Sequence, residues 1–149
     1  MMKKKFISLL LGAMMAFSAA CFAKIPAAQI ALGGIEPGFK IEQVKQIYGE
    51  PTYDGGETLV FGNLIVKVDD DRPGIVEEVI VRGGDIATPA GIKVGMSASA
   101  LNEVYGRADD IDRDTNDTEY TYKSDDGKRK LEFKVVNGVI VKIKCELRD

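Results

Sequence analysis

Apolar positions along this chain follow the same succession of spacings twice. A stretch in which apolar residues recur every three or four positions is followed by stretches that alternate apolar and polar residues. Each matched position lies 57 residues after its counterpart, as Gly91 follows Gly34. The matched pairs are Gly34 and Gly91, Gly38 and Gly95, Val44 and Leu101, Ile47 and Val104, Tyr48 and Tyr105, and Gly49 and Gly106. The pattern predicts two copies of one small unit.

The helical spacing predicts one short helix in each half, from Phe39 to Tyr48 and from Ala98 to Tyr105. Gly49 and Gly106 follow directly, where a glycine commonly closes a helix in the left-handed conformation. Ser97 is placed to act as the N-cap of the second helix. Helices of this length are unstable alone, so we expect each to pack on a sheet.

Three alternating strands are predicted after each helix. Gly62-Asn63 and Asn137-Gly138 predict tight hairpins, because such pairs favour two-residue turns. The last strand is expected to bury Val139, Val141, Ile143 and Cys145 on one face. In the first half, Glu77 occupies the position that corresponds to Val141. The sequence pattern therefore does not decide which side chains of that strand point into the core. The predicted strands are centred on residues 59–61, 64–68, 75–81, 120–122, 131–135 and 139–145.

The predicted fold class is therefore α+β, a tandem repeat of a helix plus a three-stranded antiparallel β-meander. Each unit would form a two-layer sandwich, with the helix on one face of its own sheet. The predicted organisation is a signal peptide at residues 1–23, a first α-β-β-β repeat at 24–83 and a second at 84–149.

The beginning of the chain has the pattern of a secretory signal peptide, with lysines at positions 3–5 and an apolar run from Phe6 to about Ala20. Cleavage after Ala23 would release a soluble protein, whereas cleavage before Cys21 would create a lipid anchor. Ser18 stands where bacterial lipoproteins usually carry leucine, which favours the soluble form. The run is shorter than a membrane span requires, and no later stretch is as apolar. We therefore predict a secreted or periplasmic protein that does not span a membrane.

Charge and residue types narrow the function. The net charge is −3, and removing three lysines with the signal peptide makes it −6, which argues against nucleic acid or anionic lipid as a partner. The chain has no histidine, so Ser–His, Cys–His and His–metal sites are excluded. Cys145 would be the lone cysteine after cleavage, and its place in an alternating strand predicts a buried, inert thiol. We predict no enzyme and no cofactor.

The acidic stretch at residues 109–119 is the best ligand candidate in the sequence. Asp112, Asp114 and Asn116 match the first three side-chain positions of an EF-hand Ca²⁺ loop. The match fails at the sixth position, where Asp117 replaces the required glycine, and again at the twelfth. A solvated, flexible loop between helix and sheet is therefore favoured over a Ca²⁺ site. Asp112 and Asp114 remain candidate partner-binding residues.

Tyr120 and Tyr122 are the other candidate partner-binding residues. They share one face of a predicted strand. If the helix leaves that face uncovered, the two aromatic side chains would anchor a protein partner.

The repeated motif resembles a known family. Gly95-Met96-Ser97, followed by Leu101, Val104 and Gly106, is similar to the helix of the SmpA/OmlA, or BamE-like, lipoproteins. The first half supplies the matching residues Gly38, Val44, Gly49 and Pro51. The resemblance implies helical elements on a three-stranded antiparallel sheet, in a non-enzymatic envelope protein that binds other proteins.

Two functions follow as predictions. The first is a secreted or periplasmic protein-binding module of the bacterial cell envelope, whose partner is an envelope or extracellular protein or peptide. The tandem arrangement also resembles the β-lactamase inhibitory proteins, which implies the alternative of an inhibitor of an extracellular hydrolase. Residues 109–118 would then be the loop that reaches the enzyme.

Overall fold

The computed structural model describes residues 25–148. The predicted signal peptide and both cleavage alternatives, including Cys21 and Ala23, lie outside the described residues. Within the described range, no helix combines the length and the apolar character needed to cross a membrane. The elements are helices α1 (Ile41–Tyr48) and α2 (Ser99–Tyr105) and strands β1 (Tyr53–Asp54), β2 (Thr58–Phe61), β3 (Leu64–Val68), β4 (Val76–Val81), β5 (Asp110–Arg113), β6 (Thr118–Lys123), β7 (Arg129–Val136) and β8 (Val139–Leu147).

All eight strands belong to one antiparallel sheet in the order β1-β2-β3-β4-β8-β7-β6-β5. The predicted tandem of helix plus three-stranded meander in two-layer sandwiches is therefore wrong. Each half contributes four strands to a common sheet, and among residues 25–148 the α-helices are the two short ones, α1 and α2. The halves join through β4 and β8, where Val79 lies opposite Cys145 and Val81 opposite Ile143. All four side chains are buried, so this pairing removes two apolar strand edges from solvent.

The two strands that the sequence pattern does not predict are the outermost ones. β1 has two residues and β5 has four, and every residue in both is exposed. Apolar alternation arises only where one face of a strand is buried, so exposed edge strands lack this signal. Short length and charged side chains are common features of edge strands, because both oppose pairing with other chains.

The apolar core lies between the two helices and one face of the sheet. Val44 of α1 and Leu101 of α2 are buried against it. Two cross-strand rows, read from the strand register, form this core face of the sheet. They are Leu59-Val66-Val79-Cys145-Leu131-Tyr122 and Phe61-Leu64-Val81-Ile143-Phe133-Tyr120.

β4 and β8 each carry a bulge at matched positions. The pairing register skips Glu77 on β4 and Val141 on β8. A bulge inserts one residue and shifts the chain beyond it to the other face. As a result Val76 and Ile140 are fully buried, whereas Val139, expected in the core, is 40% exposed. The bulge thus explains the irregular position of Glu77, which is exposed.

The last residue of each helix is hydrogen-bonded to the segment that precedes that helix. The Tyr48 hydroxyl donates to the Gly33 carbonyl at 2.7 Å. The Tyr105 hydroxyl donates to the Thr88 Oγ1 atom, also at 2.7 Å. These two bonds attach the C-terminal end of each helix to the segment that precedes the same helix.

Candidate functional site

A groove opens on the core-face side of the sheet, between α2 and strands β5 and β6. It has a volume of about 310 Å³. Leu101 and Asn102 of α2, Arg107 of the following connection, Ile111 of β5 and Tyr120 of β6 are among the residues that line it. We call this concavity the α2–β6 groove. Its lining combines aliphatic and aromatic side chains with a few polar groups, which is the usual composition of a binding site.

Ile111 and Tyr120 lie directly opposite each other on neighbouring strands. Both therefore point to the same face of the sheet, the face that carries α2. Tyr120 is half-buried against the core, and Ile111 is 40% exposed. The outermost cross-strand pair of the core face is thus left open to solvent at the groove.

Tyr122 also lines the groove, but most of its side chain has a structural position. It shares the face of Tyr120, as expected, but is only 2% exposed. Its hydroxyl donates to the Gly106 carbonyl at 3.1 Å, and its ring centroid lies 5.1 Å from that of Tyr105. Burial raises the pKa of the Tyr122 hydroxyl well above its usual value. Both predicted tyrosines line the groove, and Tyr120 is the more exposed of the two.

Residues 109–119 form β5 and the turn into β6 in place of the expected flexible loop. Asp112 lies opposite Glu119, on the face of the sheet away from Ile111. The Asp114 N–H donates to the Asp117 carbonyl at 2.8 Å and closes the turn. Among residues 25–148 no group of three or more histidine, cysteine or acidic side chains is arranged to hold a metal ion.

The groove residues Leu101, Arg107 and Ile111 were not among the predicted site residues. Ile111 gives the one usable signal, because it is a large apolar residue between two aspartates. Such a residue stands out only once β5 is known to be a strand whose alternate side chains face opposite ways.

The opposite face of the sheet carries a network of ion pairs. The Lys144 ammonium lies 3.2 Å from Glu132, 3.4 Å from Glu146 and 3.7 Å from Glu78. Lys130 lies 3.0 Å from Glu132 and 2.9 Å from Glu146. Burial alone would lower the pKa of Lys144, but the surrounding carboxylates outweigh it and raise that pKa. Each of the two lysines is paired with glutamates of this network. We therefore do not choose this face as the candidate binding site.

Cys145 is fully buried in the core face beside Val79 and Leu131. Burial raises the pKa of its thiol far above the usual value, so the reactive thiolate is scarce. In a Cys21→Ser variant, we expect Cys145 to resist a maleimide in the native protein and to react fully in denaturant. Rapid labelling without denaturant, followed by mass spectrometry, would contradict the placement of this thiol in the core.

Comparison with known proteins gives the fold and no family. No protein-family model matches the chain, and no curated protein is similar to it in sequence. A cysteine-rich secretory protein from Staphylococcus aureus is similar in structure, with a TM-score of 0.57 and 13% identity over 83% of this chain and 48% of that one. The chain thus spans about half the length of that protein.

Two further solved structures show weaker similarity. A DUF4309 family protein from Bacillus subtilis gives a TM-score of 0.49 and 13% identity, over 73% of this chain and 78% of that one. An extracellular protein containing an SCP domain, from Bacillus anthracis, gives 0.46 and 10%, over 93% and 50%. None of these three is described as a BamE-like lipoprotein, and that resemblance stays a prediction. At this identity the S. aureus structure supports a shared fold and nothing more specific.

Proposed function

We propose that this chain is a secreted or periplasmic, non-enzymatic module of the bacterial cell envelope. Its partner is an envelope or extracellular protein or peptide, which binds at the α2–β6 groove. The observation that carries the proposal is the exposure of Ile111 beside Tyr120 in a concave site. Partly open aromatic and aliphatic side chains at a concavity are typical of the contacts that dominate protein interfaces.

The cellular location and the non-enzymatic character in this proposal have separate support. The apolar run after three lysines at the start of the chain is typical of a signal peptide, and the S. aureus protein with the same fold is described as secretory. The sequence has no histidine to act as a general base, and Cys145, the free cysteine of the described residues, is buried away from any substrate.

The test compares two isoleucine-to-serine variants as immobilised baits. Ile111→Ser removes the apolar side chain from the groove, and Ile47→Ser makes the same change on α1, where Ile47 is 56% exposed. We expect the wild-type protein and Ile47→Ser to retain one partner from the envelope and extracellular fractions of the source cells. Retention by Ile111→Ser should fall about tenfold, the loss typical of a central interface residue.

Quantitative mass spectrometry of the retained proteins gives the readout, and circular dichroism checks that both variants are folded. Retention of no protein above background by the wild-type bait would contradict partner binding. Equal retention by the two variants would contradict the assignment of the groove.

Inhibition of an extracellular hydrolase stays a prediction. Residues 109–118, expected to form the loop that reaches the enzyme, form β5 and its turn. No observation on this hairpin favours inhibition over the binding of another kind of partner.

A further inference from the structure

One side of β5 is open to another strand. Among residues 25–148, β6 is its only neighbour in the sheet. The Asp114 N–H bonds to the β6 side of the turn, and bonded positions alternate along an antiparallel ladder. Asp110 and Asp112 are therefore the residues whose backbone groups bond to β6. The N–H and C=O groups of Ile111 and Arg113 point the other way, towards the free edge.

The two faces of β5 differ in chemistry. The Ile111 side chain lies in the α2–β6 groove. Asp110 and Asp112 project from the opposite face and are exposed. Asp110 has one cation nearby, with Lys123 at 3.2 Å, and Asp112 forms no ion pair with any described residue. A strand laid against this edge would present alternate side chains to an apolar groove and to a pair of carboxylates.

We propose that an extended peptide adds to the free edge of β5 as a further antiparallel strand. A large apolar residue of the peptide lies opposite Ile111 and enters the groove. The lysine or arginine residues on either side of it lie opposite Asp110 and Asp112. This inference rests on the proposed function and names the partner of the same groove as a peptide segment with the order basic, apolar, basic.

The chemistry of strand addition supports this partner. Main-chain hydrogen bonds supply affinity, while pockets for alternate side chains supply specificity. We infer the antiparallel direction because every neighbouring pair of strands in this sheet is antiparallel. The order basic, apolar, basic follows from charge complementarity with two aspartates that flank one isoleucine.

Other arrangements fit less well. A second copy of the chain would bring β5 against β5, and directly opposed aspartates repel each other. The other edge strand, β1, has only two residues and offers few backbone groups. Acidic side chains alone would be explained as protection against aggregation. That explanation does not account for an isoleucine in the same strand that opens into a groove.

The test uses synthetic peptides and the purified full chain. The probe is a fluorescent nine-residue peptide with the central sequence Thr-Lys-Leu-Lys-Thr, and its binding is measured by fluorescence anisotropy. A peptide of the same composition with adjacent lysines should bind about tenfold more weakly. Methylating the leucine amide, which would donate to the edge, should also weaken binding about tenfold. Methylating the amide of a flanking lysine, which points away from the edge, should leave binding unchanged.

Amide hydrogen exchange measured by NMR provides a second, site-specific readout. We expect the N–H groups of Ile111 and Arg113 to exchange more slowly when the peptide is bound, since both would enter hydrogen bonds. Ile111→Ser should weaken peptide binding, and the control Ile47→Ser should not.

Failure of this inference is distinct from failure of the proposed function. Absence of peptide binding, equal binding of both methylated peptides, or unchanged exchange at Ile111 and Arg113 would overturn strand addition. If the cellular partner is still retained by the wild-type protein and lost by Ile111→Ser, the groove is confirmed as a binding site that acts in another way. If the peptide binds as expected but the wild-type bait retains no cellular protein, strand addition is supported and the assignment of a cellular protein partner is contradicted.

Discussion

Replacing Phe133 with alanine is expected to lower the free energy of unfolding by about 3–5 kcal/mol. The side chain is fully buried in the core face of the sheet. Its ring centroid lies 5.7 Å from that of Tyr105 and 6.0 Å from that of Tyr122. Truncation would remove both aromatic contacts and leave a cavity beside the last residue of α2. Urea unfolding followed by far-ultraviolet circular dichroism measures the change. A lower midpoint concentration of urea, with the same slope of unfolding free energy against urea concentration, identifies a loss of stability.

Ile111→Ala provides the control for Phe133→Ala. It also removes a large apolar side chain from the same face of the sheet, but at the open rim of the groove. We expect it to cost less than about 1 kcal/mol, because its site is already in contact with water. Similar losses from the two variants would contradict the central place of Phe133 in the core.

Replacing Lys144 with glutamine is expected to lower the free energy of unfolding by about 2 kcal/mol at neutral pH. The change removes the cation shared by Glu78, Glu132 and Glu146 and leaves their half-buried carboxylates close together. Lys142→Gln is the matched control, since Lys142 lies on the same strand, is half-buried and forms no ion pair among the described residues. Burial and neighbouring cations lower the pKa of Lys142, so its removal should change stability by no more than about 0.5 kcal/mol.

The effect of Lys144→Gln should depend on pH in a definite direction. Burial raises the pKa of Glu146, but the hydrogen bond from Lys130 and the charge of Lys144 outweigh it, and the net pKa is lowered. A carboxylate with a lowered folded-state pKa stabilises the fold above its unfolded pKa, and this contribution is lost as pH falls through the folded value. The difference between Lys144→Gln and wild type should therefore shrink below about pH 4. A difference that stays constant from pH 7 to pH 3 would contradict this account of the network.

Much of the local structure follows from short sequence signals. The predicted helices agree with α1 and α2 to within two residues at their starts, and both end at the predicted tyrosines. The hairpin at Asn137-Gly138 is confirmed, and both residues have the positive φ angles, 52° and 76°, that such a turn requires. Ser97 is an exception. It precedes the helix by two residues, although its hydroxyl accepts a weak hydrogen bond from the Ser99 N–H at 3.3 Å.

The arrangement of strands does not follow from such signals. Pairing of β4 with β8 depends on contacts between the two halves of the chain, which no periodicity within one half reports. The bulge at Val141 reverses the face of the residues before it, so counting alternate positions places Val139 wrongly in the core. The sheet order and the groove are therefore products of tertiary packing.

The candidate site was predictable only in part. The alternation correctly places Tyr120 and Tyr122 on one face of a strand, but whether the helix covers that face is left open by the sequence; in the structure Tyr120 is partly buried. Tyr122 has the same spacing signal but lies one step further under α2, where its hydroxyl reaches Gly106. The sequence pattern predicts Asp112 and Asp114 as oxygen donors in a loop. Asp112 lies instead in β5, and the groove residue of that strand is Ile111. Ile111 is open to solvent because β5 is an edge strand, which the sequence pattern does not predict.

The junction between β4 and β8 has a consequence for how the protein is made. β4 has β3 as an immediate neighbour, whereas β8 lies about 60 residues later in the chain, and contacts so distant in sequence form slowly. While a polypeptide is still emerging from the ribosome, Val79 and Val81 have no strand to cover their outer edge. The β4 edge therefore stays unpaired until β8 has been synthesised, and the sheet is completed only when the last strand of the described residues is available.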